Sequence, residues 1–258
     1  MPAPENKLKT ALAAGKLQVG AWLGLSDAYV MEISAAAGFD WVTIDGEHSP
    51  NQTRTTLAQL QTLAGHACHA VARPVAGEAW MLKQLLDLGV QNIVVPMVES
   101  GDAARALVRA VRFPPRGIRG DGAAISRAGG FGTVQDYQTT ADAQIMLLAQ
   151  IESRAGWAAL DDILAVDGID GVFVGPSDLA ADLGHLGRPN ASEPRAAALD
   201  IVARTRRAGK IAGILSLDMA YAAQCVAAGA TCVATAIDAV SFRDAMVAAA
   251  GAAQRLKS

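Results

Sequence analysis

Cysteine is scarce in this chain, and what there is does not pair. The three thiols, Cys68, Cys225 and Cys232, are odd in number and lack CxxC spacing. That excludes a disulfide framework and a cysteine-built zinc cage, and it predicts small buried core residues in a reducing compartment. No apolar run approaches the roughly 20 residues of a membrane span. The opening segment, Met1 to Thr10, is polar and contains prolines, unlike a secretory leader. Basic stripes are absent too, and the formal net charge is -3, which argues against a nucleic-acid partner. These absences predict a soluble, cytoplasmic protein that neither enters a membrane nor grips nucleic acid.

Aromatic residues make up only 5% of the 258 residues, whereas hydrophobic residues make up 52%. The core must therefore be aliphatic, a composition suited to buried parallel strands covered by Ala-rich helices. Short apolar runs recur along the whole chain: 19–25, 41–45, 70–73, 92–97, 145–151, 171–175, 211–215 and 232–237. Each is bounded by Gly, Pro or a charge, as strands are. Between them lie segments of helical spacing such as 79–88 and 103–111, and 241–256 reads as a terminal helix, packed on its own barrel or on a neighbour's. Several helices end in Gly just before the next strand, at Gly38, Gly89, Gly209 and Gly229, which supplies a left-handed C-cap.

Eight βα units in about 250 residues predict one α/β domain over 1–258, a closed (β/α)₈ TIM barrel. The rival, an open doubly wound sheet, lacks its GxGxxG fingerprint after the first strand. In a barrel the chemistry sits at the C-terminal ends of the strands. Those ends read Asp45-Gly46-Glu47-His48, Arg73-Pro74, Gln150-Ile151-Glu152 and Gly175-Pro176-Ser177-Asp178.

Glu152 and Asp178 are hard oxygen donors on neighbouring strands, fit for a magnesium-type ion, although either could simply cap the next helix. Gln150 points the same way as Glu152, because strand side chains alternate. His48 is the natural general base; read blandly, it is a surface-loop histidine. Arg73 needs an anion if buried. It either pairs with Asp45 or Glu47 as scaffolding or stabilises an enolate oxygen or a carboxylate.

None of the lysines (Lys7, Lys9, Lys16, Lys83, Lys210, Lys257) sits inside a strand at its active end, so Schiff-base chemistry is disfavoured and a metal must polarise the carbonyl. The loops after strands seven and eight, Ser216-Leu217-Asp218 and Ile237-Asp238-Ala239, lack the glycines of a phosphate site. The Gly-rich stretch 117–132 suggests a mobile loop over the mouth, with a flexible surface excursion as the alternative.

Taken in order, Trp41-Val42-Thr43-Ile44-Asp45-Gly46-Glu47-His48, Arg73-Pro74, Val95-Pro96-Met97, Arg119-Gly120, Gln150-Ile151-Glu152 and Gly175-Pro176-Ser177-Asp178-Leu179 resemble the HpcH/HpaI aldolase family. The resemblance runs from about Gly20 to Asp238. It implies a pyruvate-type donor, an aldehyde acceptor and a divalent cation (Mg²⁺, Mn²⁺ or Co²⁺) held by Glu152 and Asp178. It makes His48 the proton acceptor and Arg73 the transition-state stabiliser, with Asp45 nearby and Asp87 raising the basicity of His48. Gln150, the Ser177 backbone and Asp178 fall on the donor, and Trp22 and Leu215 are expected among the substrate-binding residues.

The resemblance also implies a homohexamer, a trimer of dimers, with the Gly-rich loop and its Arg119 and Asp121 acting across an interface. Many relatives carry Ala where Ser177 stands. The extra hydroxyl suggests a more polar donor such as hydroxypyruvate. Two rivals stay open: another metal-dependent 2-oxo-acid lyase, such as an oxaloacetate decarboxylase or a citryl-thioester lyase, and a non-catalytic 2-oxo-acid-binding relic. No basic cluster marks a CoA site.

Overall fold

The computed structural model describes residues 1–257; Ser258, the last residue assigned to the domain, lies outside the described residues. Eight strands alternate with helices: β1 (Gln18–Leu23), β2 (Trp41–Asp45), β3 (His69–Arg73), β4 (Asn92–Val95), β5 (Met146–Ile151), β6 (Gly171–Val174), β7 (Ile211–Leu215) and β8 (Cys232–Ile237). Each pairs in parallel with the next, and β8 returns to β1, so the sheet closes into the expected barrel.

Helix α1 (Lys7–Ala13) precedes β1, and α2 (Ala28–Ala36), α3 (Thr53–Leu63), α4 (Ala79–Asp87) and α5 (Gly101–Val111) follow the first four strands. The short α6 (Tyr137–Thr140) lies before β5; α7 (Arg154–Ala158) and α8 (Leu160–Leu164) follow it. The last four helices are α9 (Pro176–Asp182), α10 (Ser192–Arg207), α11 (Met219–Ala228) and α12 (Asp238–Gln254).

The strand cores stand where the apolar runs predict, and the ends move for identifiable reasons. The expected first strand runs to Leu25, but β1 stops at Leu23 because the N–H groups of Gly24 and Leu25 turn to the Asp238 carboxylate, at 2.9 and 3.0 Å. The fourth is expected to reach Met97; β4 ends at Val95, before Pro96, which has no N–H for the ladder, and Met97 adopts φ 54°. Pro176 closes β6 in the same way. The four predicted C-cap glycines all carry positive φ. The three cysteines are buried free thiols.

Strand alternation builds two cores. Outward residues pack under the helices, while Trp41, Val71, Met146, Leu148 and Phe173 fill the barrel. The base is stoppered by α1, whose Leu8 and Leu12 join the interior cluster. Asn6, at the start of α1, donates to Asn92 Oδ1 at 2.7 Å and to the Gln144 carbonyl at 2.8 Å, so the buried polar groups of the stopper are satisfied. Gly20 permits this filling, since a Cβ there would collide with the Trp41 ring.

The Gly-rich stretch 117–132 does not cover the mouth of its own barrel. It follows α5, which descends to the N-terminal rim, and is pinned there. Arg127 Nη1 donates to the Leu88 carbonyl at 2.7 Å, and the Ala128 N–H to the Asp87 carbonyl at 3.1 Å. A small satellite core of Ala3, Phe113, Ala123, Tyr137 and Ala141 anchors it further. Helix α12 begins three residues earlier than predicted; its first residue, Asp238, is tied to the end of β1, and none of its residues is buried. No helix among the described residues is long and apolar enough to cross a membrane.

Candidate active site

The C-terminal ends of the strands surround a cleft of about 310 Å³ lined by Trp22, Asp45, His48, Arg73, Gln150, Ser177, Asp178 and Leu215. Eight of the residues singled out in the sequence thus converge on one mouth.

Arg73 is its fixed centre. The side chain is only 7% exposed, and its Nε and Nη2 make a fork onto Asp45 at 2.9 and 2.8 Å. Nη1 also meets Glu47 Oε2 at 2.8 Å. The two anions that sequence offered as alternatives are therefore both used. Trp22 completes the clasp: its ring lies 4.7 Å under the guanidinium, and its Nε1 donates to Asp45 Oδ2 at 3.3 Å. Three contacts of the five-donor guanidinium leave N–H groups on Nη1 and Nη2 for a substrate. Burial alone would raise the Asp45 carboxyl. The hydrogen bonds and charge of Arg73 outweigh it, aided by the Glu47 N–H and Trp22, and hold it below its ordinary value.

Glu152 is buried beside this clasp. Its Oε1 accepts the Met97 N–H at 2.8 Å, and its Oε2 accepts a short bond from Gln150 Nε2. Gly175 makes room for it, since a Cβ there would strike Glu152 Oε2 and approach Gln150 Nε2 to 2.9 Å. Burial pushes the Glu152 carboxyl up; the Gln150 and Met97 hydrogen bonds oppose this, and the charges of Glu47 and Asp178 push it further. Burial likewise raises Glu47, against Arg73 and His48, with Asp45 and Asp178 adding to the rise.

Crowded acids of this kind suit a cation, and the donor set is hard oxygen throughout. No group of three or more His, Cys, Asp or Glu side chains among the described residues is placed to hold an ion by itself. A metal here would rest on two carboxylates, with water and substrate oxygens completing the shell. The buried Gln150 Oε1 has no hydrogen-bond partner and leaves an acceptor for a bound molecule.

His48 lies on the turn after β2, exposed, with Nε2 3.8 Å from Glu47 Oε2. Ser177 and Asp178 occupy the first turn of α9, where Pro176 supplies the helix start. Phe173 and Ile237, which the sequence reading did not single out, form the apolar wall with Trp22 and Leu215. Phe173 could have been found from alternation, since it points inward with Gly171 and Gly175.

Asp87 stands apart. It is the last residue of α4, at the opposite rim, and its ion-pair partner is Arg119 at 3.7 Å. One chain does not bring it to its own His48. Arg119, expected to act across an interface, has a wholly buried side chain. Lysine also keeps clear of the mouth: Lys210 Nζ is spent on the Val166 and Ile169 carbonyls before β7.

Known proteins resemble this chain along most of its length. The sequence matches HpcH/HpaI aldolase/citrate lyase across residues 18–245. It is 52% identical over 240 residues to a hydroxypyruvate/pyruvate aldolase of Roseovarius nubinhibens, covering 93% of each chain. It is 47% identical to a 4-hydroxy-2-oxo-heptane-1,7-dioate aldolase of Shigella sonnei, covering 91% of this chain and 89% of that one. A crystal structure of a family protein from Burkholderia cenocepacia superposes with a TM-score of 0.90 at 37% identity, covering 98% of this chain and 100% of that chain. The chain belongs to the HpcH/HpaI aldolase/citrate lyase family.

Proposed function

We propose that this chain is a divalent-metal-dependent aldolase that adds pyruvate or hydroxypyruvate to an aldehyde, giving a 4-hydroxy-2-oxo acid, and runs the same reaction in reverse. The observation that carries this reading is the buried Glu152 carboxylate, which the charges of Glu47 and Asp178 act upon, near the Arg73 clasp and a mouth that Asp178 lines and no lysine among the described residues does. The names of the relatives support the donor: hydroxypyruvate/pyruvate aldolase and 4-hydroxy-2-oxo-heptane-1,7-dioate aldolase.

In this reading Glu152 and Asp178 would hold Mg²⁺, Mn²⁺ or Co²⁺. When bound, the ion supplies Lewis-acid polarisation of the donor's carboxylate and keto oxygens. His48, directly or through a water, removes a proton from the carbon beside the keto group. Arg73 cannot turn away, because Asp45 and Glu47 hold it. Its remaining N–H groups therefore meet the enolate oxygen in a fixed orientation, which is what makes such a charge effective. Gln150 and the Ser177 backbone orient the donor, and the Ser177 hydroxyl at the rim favours a donor with its own hydroxyl. Trp22, Leu215 and Phe173 close the apolar side. In cleavage His48 first takes the C4 hydroxyl proton.

The active particle is proposed to be a cytoplasmic homohexamer, a trimer of dimers. One observation and one expected role support assembly. Exposed Phe242, Met246 and Val247 lie on a helix with no buried residue, and Asp87 serves a His48 only if that histidine belongs to another copy. Sedimentation analysis checks the assembly, where a monomer at working concentration speaks against it. Chelation with EDTA should abolish activity and added Mn²⁺ or Mg²⁺ should restore it. Borohydride with pyruvate should leave both mass and activity unchanged. Full activity in excess chelator, or a trapped pyruvate adduct, overturns the metal mechanism.

A further inference from the structure

Arg119 is a fully buried charge that is poorly satisfied. Its side chain is 0% exposed, and its guanidinium sits 4.4 Å from the Phe113 ring centroid and 5.5 Å from that of Tyr137. Nη2 donates to the Tyr137 hydroxyl at 3.0 Å, while Nε and Nη1 have no partner. A guanidinium out of water needs an anion. Among the described residues the acid within ion-pair range is Asp87, 3.7 Å away, itself one-third exposed at the N-terminal rim.

The pair is preset by backbone. Arg119 N–H donates to the Arg112 carbonyl at 2.9 Å and Ile118 N–H to the Arg109 carbonyl at 2.8 Å, which fixes the arginine against the end of α5. Ala128 N–H does the same for the Asp87 carbonyl. If the arginine served packing alone, an apolar side chain between two aromatic rings would serve as well without the desolvation penalty. An apolar side chain could supply neither the bond to the Tyr137 hydroxyl nor the contact to Asp87, and of the two partners Asp87 is the one that reaches the surface.

We propose that Arg119 is a positioning residue for the aldol reaction: it holds the Asp87 carboxylate at the rim, in the orientation that acts on the His48 of a neighbouring copy. This rests on the reading of Asp87 as the acid that raises the basicity of His48. Arg119 itself reaches neither substrate nor metal.

The electrostatics run in the same sense. Burial raises the Asp87 carboxyl, Arg119 and Lys83 oppose the rise, and Asp121 adds to it. Arg127 lines the same recess. Loss of Arg119 therefore pushes Asp87 further up, so it protonates at higher pH.

The test uses the full chain, metal-loaded, with Asp87→Asn, Arg119→Met, Arg119→Lys and the Asp87→Asn/Arg119→Met double variant. Deuterium exchange at the pyruvate methyl is read against pH, beside KM and thermal unfolding. Asp87→Asn is expected to slow exchange about 10–100-fold, the scale of a lost supporting partner, and Arg119→Met about 10-fold with KM little changed. The acidic limb of Arg119→Met should move to higher pH, with Arg119→Lys between it and wild type. In the Asp87→Asn background Arg119→Met should cost nothing more, because the two act through one group.

Wild-type exchange in Asp87→Asn overturns the reading of Asp87 and the proposal with it. A slow Asp87→Asn whose loss simply multiplies with that of Arg119→Met overturns the role of Arg119 alone. If Arg119→Met does not fold, Arg119→Lys in both backgrounds carries the same decision, its unchanged pH limb being the adverse result.

Discussion

Two buried arginines sit at opposite rims of this barrel and are treated differently. Arg73, at the mouth, is gripped by two carboxylates within 2.9 Å and backed by Trp22. Arg119, at the base, lies between Phe113 and Tyr137 with its acid 3.7 Å off. The acids differ in consequence: Asp45 is held below its ordinary value, whereas burial leaves Asp87 above it. At the mouth the acids are spent on the arginine, and the arginine is what faces the cleft. At the base the arginine donates to Tyr137 and meets the acid only at ion-pair distance, and the acid is what faces outward. A buried ion pair thus says little about function until one sees which partner keeps an open side.

The largest effects are expected at the mouth. His48→Ala should slow exchange of the pyruvate methyl protons by roughly 10²–10⁴, the loss of a general base. Exchange at the wild-type rate would remove His48 from that role. Arg73→Lys should lower kcat by about 10²–10³, as when an oxyanion donor is lost, because a point charge cannot make the fork onto Asp45 and still face the substrate. Near-normal turnover in Arg73→Lys would mean that only charge matters there, and the contrast between the two arginines would lose its meaning.

The sequence carried the mouth better than the base. Rule-bound alternation and Gly or Pro punctuation located every strand, and strand ends then named Asp45, His48, Arg73, Gln150, Glu152 and Asp178. Those residues are local in the sense that matters, since each position follows from its own strand. The Gly-rich stretch does not cover the mouth of its own barrel because its place depends on the direction of α5 and on contacts from Arg127 to helix ends far away in sequence. Phe113 and Tyr137 around Arg119 are equally non-local. The role of α1 as a stopper was hidden as well, since Leu8 and Leu12 alone in a polar segment make no periodic signal.

That stopper offers a contrast in kind. Leu12 is fully enclosed in the barrel's interior cluster, far from the cleft. Leu12→Ala should cost about 2–5 kcal/mol of unfolding free energy through lost burial and a residual cavity. With the fold still in place, kcat should stay within about twofold, far below the mouth effects. Denaturant titration beside steady-state kinetics separates the two; a large kcat loss in a folded Leu12→Ala would show that the base is coupled to the chemistry.

The smallest effect is a difference in the sign of a pH dependence, and it addresses the two acids directly. The folded-state value of Asp45 is depressed, so its contribution is fully present above its ordinary value of 3.8 and is lost as pH falls through the lower folded value. Asp87 is raised, so the folded chain takes up its proton first, and stability grows as pH falls through the raised value towards 3.8. Unfolding free energy measured across the acid range should therefore show opposite changes in slope on substitution. Asp45→Asn should flatten the loss of stability below about pH 4, and Asp87→Asn should remove a shallow gain above it. If both substitutions changed the slope in the same direction, the two ion pairs would be equivalent, and the asymmetry between mouth and base would not extend to their electrostatics.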